Sequence, residues 1–326
     1  MRVLVTGGTG FVGSHLVEAL LENGHEVRIL ARRSSPQRWV GHLSVSWCWG
    51  DVTEDRGLRE AVEGVEWVFH LAGLTKARCL HDYLRVNAEG TLRILKACAQ
   101  ADPPPRRFIL LSSLAACGPA AAGRPLREGD PCRPVSHYGI SKLEAERIAS
   151  SFVEKVPLVI LRPPAVYGPR DRDILAFFRL LKRGWNPMIG RGDRCLSMIH
   201  VRDLARGTLL AAQSLVPSGS VFFLSDGSIH RWSEVVLLLS QIMGVRVRSV
   251  HIPFFLAYLI AGCSEAVCWG LRRPPLLNRQ KVIEMRAEAW TCEIQRAKEY
   301  LGFSPCISIE SGLRETYHWY RKQGWL

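Results

Sequence analysis

The 326-residue sequence has no CxxC pair, no cysteine–histidine cluster with zinc spacing, and no apolar run long enough to span a bilayer. A spanning helix needs about 20 consecutive apolar residues. The nearest approach is residues 252–264 (IPFFLAYLIAGCS), which carry no charge before Glu265 interrupts them and residues 266–271 resume. The ten cysteines therefore read as free thiols in a reducing compartment, mostly small core residues, and no metal site is expected. A leader is missing too: Met1-Arg2 runs straight into a strand pattern, so the expectation is a cytoplasmic protein. Acidic residues are short, 30 against 43 basic ones, for a formal charge of +13. The basic residues are spread along the chain and only eight are lysine, so no nucleic-acid partner is expected. A charged fraction of 22% with 47% apolar residues excludes a disordered, collagen-like or polytopic membrane chain.

What is present is alternation. Residues 2–6, 26–30, 45–49, 67–71, 108–111 and 158–161 read as strands. Residues 13–23, 58–62, 83–100 and 138–153 read as helices between them. Strands separated by helices of this size predict βαβ units with right-handed crossovers. The fold class is α/β: a Rossmann doubly wound parallel sheet with helices on both faces, followed by a smaller mixed α/β substrate domain. The division predicted is a dinucleotide-binding domain over residues 1–165 and a substrate domain over 166–326, with some segments returning to the sheet. In the second half, 173–183, 201–214 and 232–243 read as helices and 221–224 as a strand. The apolar stretch 252–271 reads first as a buried or interface helix. The sharper reading is a lid or a peripheral membrane contact, which Arg272 and Arg273 suit.

Thr6-Gly7-Gly8-Thr9-Gly10-Phe11-Val12-Gly13 follows a strand and opens a helix. Gly7 permits a tight turn, Gly10 lets backbone approach a pyrophosphate, and Gly13 lets helix pack on strand. The amides near Phe11 and Val12 would then receive the phosphates. The second strand ends in Arg32-Arg33, where a carboxylate would have selected NAD. Two guanidiniums suit a 2′-phosphate, so NADP(H) is expected in preference to NAD(H). Asp51 and Val52, after the third strand, are placed near the adenine.

Tyr138 and Lys142 are four residues apart on one predicted helix face. A nearby ammonium favours the phenolate, so the tyrosine's pKa is expected to fall toward the working range of an acid/base. Ser113 follows the strand 108–111, at the carboxyl edge where α/β sites form.

With these residues in hand, the chain resembles an extended short-chain dehydrogenase/reductase of the epimerase/dehydratase superfamily over nearly its whole length. The motifs are residues 6–13, His70-Leu71-Ala72-Gly73, Asn87-Ala88-Glu89-Gly90-Thr91, Ser112-Ser113, 138–142, 161–169 and Ile199-His200-Val201-Arg202-Asp203. The resemblance implies Tyr138 as acid/base, Lys142 as its tuner and ribose ligand, and Ser113 as orienter of the substrate oxygen. It implies Asn87 as a structural and relay residue. Leu71, Ala72, Gly73 and Pro163 line the cofactor by the same resemblance, and His200 falls in a structural pattern. Nucleotide-sugar epimerases of the superfamily carry an asparagine where Ala165 stands, an arginine where Leu196 stands, and an arginine segment where Arg272-Arg273-Pro274-Pro275 stands. Losing those donors disfavours a diphosphate substrate, though Arg191 and Arg194 lie close in sequence. Arg162-Pro163-Pro164, the stretch 252–271 and the ending from Lys298 to Tyr320 are instead similar to 3β-hydroxysteroid dehydrogenases and dihydroflavonol reductases.

The expected activity is hydride transfer between a secondary alcohol or ketone on an apolar small molecule and NADP(H). The alternatives are an epimerase or dehydratase that recycles a tightly held NAD, and a catalytically silent dinucleotide sensor. A homodimer through residues 83–100 and 138–153 is the family expectation.

Overall fold

The computed structural model describes residues 1–190, 192–271, 275 and 277–326. Arg191, Arg272, Arg273 and Pro274, named above, lie outside the described residues. The first half runs β1 (Arg2–Thr6), α1 (Phe11–Glu22), β2 (Glu26–Ala31), β3 (Ser46–Trp49), α2 (Leu58–Val62), β4 (Trp67–His70), α3 (Leu80–Tyr83), α4 (Glu89–Gln100), β5 (Arg107–Leu111), α5 (His137–Ser150) and β6 (Leu158–Arg162). The second half runs β7 (Ala165–Tyr167), α6 (Leu175–Lys182), β8 (Trp185–Ile189), β9 (Cys195–Leu196), β10 (Met198–His200), α7 (Val201–Gln213) and β11 (Ser220–Phe223). It continues with β12 (His230–Arg231), α8 (Trp232–Met243), β13 (Arg248–Ile252), α9 (Phe254–Gly270), α10 (Arg279–Arg286), β14 (Ala289–Trp290), α11 (Gln295–Leu301) and α12 (Ile309–Lys322).

Seven strands form one parallel sheet in the order β11-β6-β5-β4-β1-β2-β3. Chain direction across the sheet reverses between β1 and β4, the place where doubly wound sheets open a crevice for a dinucleotide. Parallel strands covered on both faces read as continuous apolar runs, and β4 (WVFH) and β6 (LVILR) are buried at every position. One face is covered by α1 and α7, through Leu16, Val17, Leu20, Leu204 and Leu209. The opposite face is covered by α2, α4 and α5, through Leu58, Val62, Ile94, Leu95 and Ala149. The predicted Rossmann sheet with helices on both faces is the observed architecture.

Two differences from the sequence reading have physical causes. Residues 83–100 are not one regular helix: a π-helical turn, Leu84–Ala88, separates α3 from α4. Helical periodicity passes through such a turn with one extra residue, so the pattern alone does not reveal it. The stretch 252–271 forms α9, but it is not a buried helix. Of its residues only Ala257 and Ala261 are buried, against Ile189 and Val282. Phe255, Leu259 and Val267 are 66, 60 and 63% exposed. Ala257 and Ala261 face inward with Phe254 and Tyr258 packed beside them, while Phe255, Leu259 and Val267 face outward. Among the described residues, no helix is long and apolar enough to cross a membrane.

All ten cysteines are free, but only Cys48, Cys98, Cys117 and Cys292 are buried, while Cys263 and Cys306 are exposed. The expectation of mostly core thiols therefore holds for fewer than half of them.

Candidate active site

The glycine-rich turn folds as its spacing requires. Gly7 sits at φ +72°, a left-handed conformation that glycine adopts without penalty, and its amide turn closes through the Gly10 N–H donating to Gly7 O at 3.0 Å. A Cβ on Gly13 would lie 2.1 Å from Gly7 O, and one on Gly7 would lie 2.7 Å from the Ala72 nitrogen. The turn, α1 and the segment after β4 are thus packed backbone to backbone. Gly10 is the N-cap of α1, which has no side-chain cap and no acidic residue in its first turn. The amides around Phe11 and Val12 start a helix whose positive end is uncompensated by protein, a good seat for a pyrophosphate.

Around this turn, Leu71 N donates to Thr6 O (3.2 Å) and Ala72 N to Thr6 Oγ1 (3.1 Å). His70 hydrogen-bonds Thr6 Oγ1 (2.8 Å) and Thr91 Oγ1 (3.1 Å), and burial drops its pKa to about 3, so it is a neutral strut between β1, β4 and α4. Arg32 and Arg33 stand exposed just past β2. Arg32 lies 4.0 Å from the Asp51 carboxylate, and Arg33 lies over the Trp49 ring at 5.8 Å. Asp51 also accepts from Thr53 N and Oγ1, both at 2.9 Å. Val52 is buried and would touch any Cβ on Gly90, so it packs against the start of α4. Pro163 is buried past β6, and its carbonyl accepts from Leu114 N at 2.8 Å. The glycines, the free helix start and the paired guanidiniums fit a dinucleotide.

Tyr138 and Lys142 lie on α5, whose N-cap Ser136 accepts from Gly139 N at 3.2 Å. Gly139 permits the key approach. A Cβ there would meet Ala115 O at 2.2 Å, so only glycine lets α5 press against the 3₁₀ turn Leu114–Ala116 that follows β5. That contact brings Tyr138 to Ser113. The Ser113 hydroxyl accepts from Ala115 N (3.1 Å), and its proximity to the Tyr138 phenol acts to lower that phenol's pKa.

Lys142 is buried and donates to Leu111 O at 2.8 Å, at the carboxyl end of β5. Its ammonium would sit 3.3 Å from a Cβ on Gly73, and Asn87 Oδ1 3.0 Å from the same point. Lys142, Asn87 and Gly73 therefore converge at one spot. Asn87, on the π-helical turn, accepts from Leu74 N (2.7 Å) and donates to Leu74 O (3.1 Å) and Ser141 Oγ (2.8 Å). Ser141 in turn donates to Tyr138 O (2.7 Å). The extra residue of the turn aims this amide at α5.

One expectation is corrected. Tyr138 is not pulled toward neutrality: burial pushes it up to about 12, outweighing the nearby Ser113 hydroxyl that lowers it, and the charges of Glu284 and Asp173 add to the rise. Lys142 is itself lowered to about 8 by burial, and its hydrogen bond is spent on Leu111 O. At neutral pH the phenol carries its proton, the state needed to donate one.

Two residues escaped the sequence reading, Glu146 and Gln280. Glu146, one turn after Lys142, is buried and takes a two-pronged ion pair from Arg162: Nε donates at 3.0 Å and Nη2 at 2.6 Å. Ser112 Oγ donates to the same carboxylate. Gln280, on α10, accepts the His137 amide at 3.1 Å, so α10 borders the start of α5. For Glu146 the signal was present: carboxylates four residues after a buried lysine share its face. Of the substitutes considered for a diphosphate ligand, Arg194 Nη2 donates to Ile189 O. His200 is buried, its Nδ1 accepts from Arg202 N at 3.3 Å, and it is lowered to about 4 by burial, a helix cap in keeping with the structural pattern.

Comparison with known proteins follows the same lines. A family model described as "NAD dependent epimerase/dehydratase family" matches residues 3–222. The chain is 32% identical to a ceramide reductase of Caulobacter vibrioides, over 99% of this chain and 96% of that protein. It is 27% identical to a 3-beta-hydroxysteroid dehydrogenase of Mycolicibacterium neoaurum, over 98% and 91%. Among solved structures, the UDP-glucose 4-epimerase of Thermotoga maritima with UDP-glucose superposes with a TM-score of 0.80 at 26% identity, covering 99% of both chains. The chain belongs to the NAD-dependent epimerase/dehydratase family and is an NAD(P)-dependent oxidoreductase of the extended short-chain dehydrogenase/reductase type.

Proposed function

We propose that the protein interconverts a ketone and a secondary alcohol on a largely apolar small molecule, with NADP(H) preferred. The observation that carries the reading is that α5, which bears Tyr138 and the buried Lys142, presses through Gly139 on the turn that follows Ser113, with Lys142 donating to Leu111 O at the carboxyl end of β5. A bound nicotinamide would supply or accept the hydride. In the reducing direction Ser113 donates a hydrogen bond to the substrate oxygen. Tyr138 delivers the proton as charge develops there. Lys142, held by Leu111 O and near Gly73, faces the place where a ribose would lie. Asn87 and Ser141 fix the backbone of Tyr138. In this reading residues 1–165 hold the cofactor and residues 166–326 shape the substrate side.

The apolar substrate is supported by Ala165 and Leu196 at positions where sugar-nucleotide enzymes place donors, and by the engagement of Arg194 with Ile189 O. The named substrates of the relatives, a ceramide and a hydroxysteroid, point the same way. The exposed Arg32 and Arg33 support NADP(H). Purified protein is expected to oxidise NADPH with a 3-ketosteroid or a long-chain 3-keto amide. Changing both arginines to alanine should lower kcat/KM for NADPH by about 10- to 100-fold, as for lost charge-assisted bonds of about 1.5–3 kcal/mol, and leave NADH nearly unchanged. Equal use of both cofactors by the parent protein would end the arginine assignment. The epimerase likenesses favour the second reading, a self-recycling epimerase; stoichiometric NAD that does not exchange, with no net NADPH consumption, would establish it instead.

The pH profile follows from the site. Lys142, at about 8, loses its charge as pH rises, while Tyr138 stays protonated to about 12. The kcat/KM for reduction should therefore be level below pH 7 and decline as pH rises through about 8. A profile flat from pH 6 to 10 would contradict the role given to the lysine.

A further inference from the structure

Helix α9 covers the molecule's rim with an unusual surface. Its outward residues, among them Phe255, Leu256, Leu259, Ile260, Val267 and Leu271 just past its end, are all apolar and exposed. At 17 residues the helix is about 25 Å long. Its one charged residue, Glu265, turns to α10 and takes Arg279 Nε at 2.7 Å. A continuous exposed apolar face of this length marks an interaction site.

The charge around it identifies the partner. Strand β13 leads directly into α9 and pairs in parallel with β8, setting Arg248 opposite Trp185, itself 52% exposed. Lys182, Arg183, Arg246 and Arg248 stand exposed together there, since Arg248 N donates to Gly184 O at 2.8 Å. Neither residues 174–190 nor 244–264 contain a single carboxylate. At the other end of α9, Arg78 lies over the Trp269 ring at 5.7 Å. A protein partner with a matching apolar groove has no need of this acid-free flank, whereas an anionic bilayer rewards both parts: apolar side chains enter the acyl boundary and cations meet the headgroups.

The position of α9 connects the surface to the site. Its packing partner α10 holds the His137 amide through Gln280, one residue before Tyr138. Trp269 sits on Arg78, which follows the Thr75 carbonyl bonded by Tyr83, whose ring is 6.1 Å from that of Tyr138. We propose that the exposed face of α9, with the basic flank of β8 and β13, docks on an anionic lipid bilayer and holds the Tyr138 site at the membrane, where an apolar substrate enters from the lipid. The entry of substrate rests on the ketone/alcohol reading; the docking does not.

Docking is tested by sedimentation of the purified protein, without cofactor, with phosphatidylcholine vesicles and with vesicles containing about 30% phosphatidylglycerol. The protein should pellet with the anionic vesicles and far less with the neutral ones. Leu259→Ser with Val267→Ser, both at exposed positions, should lower the partition at least about tenfold while leaving the unfolding midpoint in place. Protein remaining in the supernatant with both vesicle types, or pelleting unaltered by the serines, overturns the proposal. So does a dimer in light scattering that the serines split, because a second copy would then be the occupant. For entry, the serine variant should match the parent on a long-chain 3-keto amide in detergent micelles and be at least about tenfold slower on the same ketone in anionic vesicles. Equal rates in vesicles overturn entry alone. No turnover in micelles by the parent overturns the ketone reading and entry together, while vesicle binding still decides docking.

Discussion

Tyr138→Phe is expected to lower kcat for ketone reduction by between about a hundredfold and about ten-thousandfold, the range for removing a positioned general acid. The phenol is the group that can deliver a proton at the end of β5. Ser113 accepts from Ala115 N, and an aliphatic hydroxyl is a much weaker acid than a phenol. Lys142 is turned into Leu111 O. Phenylalanine keeps the ring against Tyr83 and leaves the glycine turn untouched, so NADPH affinity and folding should stay near those of the parent. Stopped-flow hydride transfer and fluorescence titration with NADPH separate the two effects. A variant retaining a third or more of the parent rate would remove Tyr138 from the chemistry.

Glu146→Ala should destabilise the fold by about 3–5 kcal/mol, the cost of leaving one member of a buried ion pair without its partner. The side chains of Arg162 and Glu146 are 8 and 5% exposed, and the pair is joined by three nitrogen–oxygen contacts. Alanine strands the guanidinium, removes the acceptor of Ser112, and withdraws the one negative charge that favours the ammonium of Lys142. Urea unfolding would read the loss as a lower midpoint at constant slope. Replacing both residues, Glu146→Gln with Arg162→Met, should recover most of the stability, because neither partner is then left charged and alone. A single alanine variant within about 1 kcal/mol of the parent would mean that water reaches the pair.

The parts of this molecule legible in the sequence are those decided by near neighbours. The turn at Gly7–Gly13 is written within seven consecutive residues, and Tyr138 and Lys142 share a helix face by spacing alone. Strands β1, β2, β4, β5 and β6 are largely buried and stand out as apolar runs, while β3, at the sheet edge, buries only Cys48. Strands β7, β8, β9, β10, β12, β13 and β14 were invisible because they are two to five residues long and pair with distant partners: β8 contains Pro187, and β13 has no buried position to mark an apolar face. Helices α10, α11 and α12 also went unread as helices. The Tyr138 titration departs from expectation because a neighbour on the helix face is visible in sequence, whereas desolvation in the folded site is not. Glu146 shares the Lys142 face by spacing, but its own partners stand on β6 and after β5, distant in sequence.

The return of β11 to the sheet has a consequence for how the chain comes off the ribosome. The helices cover the two faces of β6, while β5 pairs with one of its edges and β11 with the other, Phe222 standing opposite Leu161 and Phe223 opposite Arg162. Until Phe223 has been synthesised, the nascent sheet presents β6 as a long apolar edge, the kind of surface that invites pairing with another chain. Everything between β6 and β11, including α7 that packs against α1, is made during that interval. The seven-stranded sheet therefore cannot be completed before two thirds of the protein exists, because its edge strand β11 ends at Phe223.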